Sequence, residues 1–177
     1  MLKSGTFQNN QVVYISFLSA LAITLFVVEN YIPKPLPFIK IGLANSILLF
    51  LIFQKKYLFS IIVGVAKVFI GNLLVGTLLT PGFLMSFFGT FFALLAMIFF
   101  FYLPLKFGII GISVVGAIIH NLSQLVVVRL ILINNDSIFF LTPVMLILGL
   151  ISGIISGYFA YYLNGIFQYE VINKKWV

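Results

Sequence analysis

The residues able to do chemistry in this chain are few, and most lie inside long apolar runs. Lys67 falls near the middle of YLFSIIVGVAKVFIGNLL, and His120 near the middle of GIIGISVVGAIIHNLSQLVVVRL, with Asn121 and Gln124 beside it and Arg129 further along. Glu29 stands near the end of the first apolar run, Asn45 within the second, and Asn72 beyond Lys67; Lys40 precedes Asn45. A charge at the centre of a bilayer costs about 2.5–3.5 kcal/mol on insertion scales. Such side chains must therefore face protein or a watery cavity. Spacings of three and four put His120, Asn121 and Gln124 on one side of a helix. Lys67, Arg129 and Lys40 suit an anionic group through charge-assisted hydrogen bonds. The amides of Asn45, Asn72, Asn121 and Gln124, with the imidazole, would add directional contacts. This pattern fits the binding of a small anionic or amphipathic molecule.

It does not fit catalysis. The acidic residues are Glu29, Asp136 and Glu170, too widely spaced to cluster around magnesium on a diphosphate. One histidine and no cysteine exclude a multi-histidine or thiolate metal site and any disulfide. Neither a G-x-x-x-x-G-K-[ST] phosphate loop nor a G-x-S-x-G elbow occurs. The expectation is no enzyme, no catalytic residue, no metal and no cofactor.

The elements that position these residues are membrane helices. Of 177 residues, 63% are hydrophobic and 7% charged, and the mean hydropathy is +1.25. A soluble domain carries about 25% charged residues. The net charge of +7 does not point to nucleic acid, because the basic residues sit between apolar runs, where they set topology. Spans of about 20 residues are expected over 12–32, 39–53, 57–79, 83–103, 109–133 and 139–167, with the second the shortest and open to a tilted or re-entrant reading. The result is an all-α bundle of six transmembrane helices in a single domain, 1–177, with polar segments at 1–11 and 168–177. A barrel would alternate in shorter segments. Lys3, Lys55, Lys56, Lys106, Lys174 and Lys175 fall on one side and Lys34 and Lys40 on the other, so both termini are expected in the cytoplasm. The intramembrane polar residues then crowd into the outer half.

Each has a plainer reading. Glu29 could pair with Lys34, Lys40 or Arg129, or reach the interface. Arg129 could reach outward too, and His120 could be an interhelical hydrogen bonder. Gly149-xxx-Gly153-xxx-Gly157 with Ser152 and Ser156, and Ser16-xxx-Ala20-xxx-Thr24, have the small-xxx-small spacing that lets helices approach closely in lipid. The glycine set reads first as internal packing; the first-helix set is open between packing and docking to a partner.

Three stretches carry a family resemblance: ENYIPKPLPFIKIGLAN (29–45), KVFIGNLLVGTLLTPGFLMSFFGT (67–90) and GISVVGAIIHNLSQLVVV (111–128). Together and in order they resemble the bacterial membrane proteins called heptaprenyl diphosphate synthase component I, or the Gx transporter family. Thr80 and Lys67 stand where the family pattern favours serine and arginine. That family is similar in architecture to the substrate-binding S components of energy-coupling-factor (ECF) vitamin transporters. The resemblance implies uptake of a small molecule across the bacterial cytoplasmic membrane, with a separate transmembrane coupling protein and ATPase subunits as partners. It also implies that Ser16, Ala20 and Thr24 dock the coupling protein. Two other expectations compete. A scaffold for a soluble polyprenyl diphosphate synthase is disfavoured by very short cytoplasmic loops. A homo-oligomeric channel is disfavoured because the polar residues stop at mid-membrane.

Overall fold

A computed structural model describes residues 3–33, 42–104, 107–133 and 135–173, with side chains over 11–33, 42–104, 107–133 and 135–167. The described residues form six α-helices and no strand: α1 (Lys3–Tyr31), α2 (Leu43–Phe53), α3 (Tyr57–Val75), α4 (Pro81–Tyr102), α5 (Ile109–Ile131) and α6 (Thr142–Asn173), the last preceded by a 3-10 turn over Asp136–Leu141. Five are long and apolar enough to cross a membrane. The chain is a multi-pass membrane helix bundle.

The exception is α2. Its 11 residues reach about 16 Å at 1.5 Å per residue, half of a hydrocarbon core of about 30 Å. It is nonetheless the most enclosed helix, with Ile47, Leu48, Leu51 and Ile52 fully buried and all five other helices in contact with it. It runs antiparallel to α1. At one end the Gly42 N–H donates to the Glu29 carboxylate at 2.5 Å. At the other the Lys56 ammonium sits 4.1 Å from the centre of the Tyr14 ring, where burial pushes it below the usual lysine range. The chain therefore passes from the Glu29 level of α1 to the Tyr14 level within this short helix and its flanks. Residues 39–41 of the expected second span lie outside the described residues.

Several boundaries differ from expectation for local reasons. Helix α3 ends at Val75, because Gly76 takes φ 76° and the Thr77 N–H closes back on the Asn72 carbonyl at 2.8 Å, the pattern of a glycine-terminated helix. Helix α4 begins at Pro81, where the Thr80 hydroxyl caps the Gly82 N–H and the missing proline donor costs nothing. Helix α1 starts at Lys3 rather than near residue 12. The expected start of the sixth helix at Phe139 falls in the 3-10 turn; the α-helix proper begins at Thr142 and continues to Asn173, through much of the expected tail.

The glycine row of α6 is spent inside the bundle. A Cβ at Gly153 would lie 2.5 Å from the Val114 Cα, and one at Gly149 would lie 2.9 Å from the Ile118 Cα. Helices α5 and α6 thus meet backbone to backbone, as the internal-packing reading expects.

Candidate functional site

Lys67 is buried, at 2% exposure, and its ammonium reaches oxygens on two other helices. It donates to Asn45 Oδ1 on α2 at 2.6 Å and to Thr90 Oγ1 on α4 at 3.0 Å. The three residues come from three helices. Their meeting depends on the start of α2, where Gly42 adopts φ 79°, a conformation that favours glycine. The Glu29 carboxylate takes the Gly42 N–H, so a negative charge lies at the positive end of the α2 dipole. Glu29 thereby fastens the end of α1 to the start of α2, and it lines the same chamber as Lys67, Asn45, Ser86, Thr90 and His120.

His120 and Gln124 form the next layer. Gln124 Nε2 lies 3.0 Å from His120 Nε2, an arrangement in which the amide donates and a neutral ring nitrogen accepts. Gln124 Oε1 then has no hydrogen-bond partner among the described residues. The imidazole rests flat on a glycine: a Cβ at Gly89 would lie 2.8 Å from His120 Cε1. Asn121 turns toward α6, donating to the Met145 carbonyl at 3.2 Å. A second small cavity, between His120, Asn121, Ser113, Ser152 and Ser156, adjoins the first across Gly42, Asn45 and His120. Each holds about 10 Å³, room for roughly one water molecule.

Two expected members are elsewhere. Asn72 is buried, but its amide serves its own neighbourhood: Nδ2 donates to the Val68 carbonyl at 2.6 Å, while Oδ1 accepts from Thr77 at 2.8 Å and from Ser86 at 3.4 Å. Among the described residues it meets the chamber lining through Ser86. Arg129 lies at the far end of α5, paired with Asp136 at 2.9 Å, where the arginine is partly and the aspartate largely exposed. Lys40 lies outside the described residues. On α1, Leu18, Ala22, Phe26 and Glu29 face inward, whereas Ser16, Ala20 and Thr24 are exposed on the outer surface of the bundle.

Sequence reasoning missed Thr90, Ser86, Gly42 and Gly89. The available signal was the spacing of Ser86 and Thr90, four apart on one face of an otherwise apolar helix. Among the described residues no group of three potential metal ligands occurs.

The fold and this chamber define a class: a polytopic helical membrane protein with a buried polar centre in which Lys67, Glu29 and His120 share one chamber with neutral side chains. The sequence profile of heptaprenyl diphosphate synthase component I matches residues 18–163, most of the chain, and the protein belongs to that family. Comparison with curated proteins gives no match, and comparison with solved structures gives none either.

Proposed function

We propose that this protein is the membrane-embedded substrate-binding subunit of an uptake system, similar to an ECF S component, and that it takes a small anionic or amphipathic molecule. The observation that carries the reading is the Lys67–Asn45–Thr90 junction. The buried ammonium donates to Asn45 and Thr90, oxygens that an anionic group can replace or join, and charge-assisted bonds are the strong ones in such surroundings. With the lysine-rich ends of the helices in the cytoplasm, the chamber lies toward the outer face. Its cavities are water-sized, so capture requires side chains of the chamber lining to move apart. The protein carries out no bond chemistry of its own; it hands its ligand to a coupling protein and ATPases, and the exposed Ser16–Ala20–Thr24 face of α1 supports that docking.

Native mass spectrometry of the chain released from mild detergent tests this. The wild type should retain a small molecule that Lys67→Met loses. Equal retention by both would contradict the site. The family's name favours a second reading, a membrane subunit that holds a soluble polyprenyl diphosphate synthase. That reading requires a stable complex with such an enzyme and leaves the buried lysine without a task.

A further inference from the structure

One wall of the Lys67 chamber backs onto the outer face of the bundle between α3 and α4. Thr90 turns its hydroxyl to Lys67, while its methyl lies 3.7 Å from where a Cβ would stand on Gly64. Outside that wall runs an apolar groove between α3 and α4, about 130 Å³, floored by Gly64 and Thr90 and edged by Ile61, Val65, Leu95 and Ile98. A Cβ on Gly64 would stand 3.0 Å from Leu94 Cδ1 and 3.6 Å from Leu48 Cδ1, so the glycine lets those side chains pack onto the α3 backbone beneath the groove. From its lining, Ile61 to Val68 on α3 and Phe87 to Ile98 on α4, the groove is about 10–16 Å long at 1.5 Å per residue. It extends from the Lys67 level toward the Tyr57 and Tyr102 ends of these helices.

We infer that the groove receives the apolar tail of a single-chain amphiphile whose anionic head reaches Lys67 through the Thr90 wall, so that the ligand arrives sideways from the bilayer. This rests on the capture reading above and specifies its ligand class. Charge complementarity selects the head: the cation next to the groove is Lys67, which donates to Asn45 and Thr90, whereas the Glu29 carboxylate on the same chamber is engaged by the Gly42 N–H. Direction selects the tail. An amphiphile in the outer leaflet points its head outward and its chain toward the midplane, and with the lysine-rich ends inside, the groove leaves Lys67 in that same direction. A larger groove of about 510 Å³ on the α4–α5 face, lined by Phe88, Phe92, Leu122 and Val126, includes none of the residues bonded to Lys67. It serves as the internal control for ordinary lipid contact.

The test uses the full chain in phosphatidylcholine nanodiscs and dodecyl phosphate with a diazirine at the chain end. Photolabelling should fall on peptides holding Ile61, Val65, Leu95 and Ile98, at least ten-fold above the α4–α5 face. Unlabelled dodecyl phosphate should displace the probe and inorganic phosphate should not. Lys67→Met should reduce groove labelling at least ten-fold. Val65→Trp and Leu95→Trp, at lipid-facing positions 49% and 50% exposed, should do the same without changing the thermal melt. Equal labelling of both grooves that ignores Lys67→Met means bilayer lipid only and overturns the inference. Displacement by inorganic phosphate, with Lys67 still required, overturns the tail site while leaving the capture reading in place.

Discussion

Lys67 and Asn45 meet at 2.6 Å across the contact between α3 and the short, enclosed α2, so the buried charge of one helix is satisfied by the helix least able to span on its own. Because the two groups lose solvent together, their energies should be coupled. Asn45→Leu removes one oxygen from a buried ammonium and should cost about 1–3 kcal/mol. Lys67→Met with Asn45→Leu should cost less than the sum of the single changes. Thermal unfolding in detergent checks this, and strictly additive costs would contradict the pairing.

Gly89 and His120 form a second test. Alanine at 89 places a Cβ 2.8 Å from the ring, and overpacking of this kind costs about 1–3 kcal/mol. Most of that loss should return when His120→Ala is added. A Gly89→Ala melt that the second change leaves where it was would mean the ring does not sit on this glycine.

The α6 glycines should differ sharply from one another. Gly153→Ala drives a Cβ to 2.5 Å from backbone of α5, which cannot swing aside, so at least about 1–3 kcal/mol should be lost. Gly165 has nothing within 4 Å of a Cβ. There alanine should be neutral or stabilise the helix by up to about 0.5–1 kcal/mol. Similar melts for the two variants would contradict the α5–α6 contact.

Ala20→Leu enlarges an exposed position of α1, where substitutions usually stay within about 0.5 kcal/mol. The melt should hold while co-purification of any membrane partner drops. A partner retained at full yield by Ala20→Leu and by Ser16→Leu would remove this face from the docking account.

The long helices were legible because each is a continuous apolar run ended by proline, glycine, asparagine or lysine. Helix α2 was the hardest to bound, since 11 residues can be a buried core helix as easily as part of a span. What makes it a passage is tertiary: Glu29 at one end and Tyr14 at the other. The site was half legible. Lys67, Asn45 and His120 announce themselves as polar residues in lipid, and the structure brings them around one chamber. Arg129 looked equivalent in sequence, yet it reaches Asp136 across the following loop, a contact that helical spacing does not encode. Asn72 looked like a ligand contact but closes the Gly76 turn through Thr77. Thr90 was marked by nothing but its spacing from Ser86, and Gly89 by nothing, because a hydroxyl or a glycine in an apolar helix has ordinary local uses; the packing of α3 and α5 against α4 gives them a role.

The most direct test of the central claim is affinity purification of the chain from native membranes in mild detergent, followed by mass spectrometry of the proteins that accompany it. A transmembrane coupling protein with ATPase subunits is the predicted result, and it would establish an uptake subunit. Recovery of a soluble polyprenyl diphosphate synthase, with no coupling protein or ATPase, would contradict it.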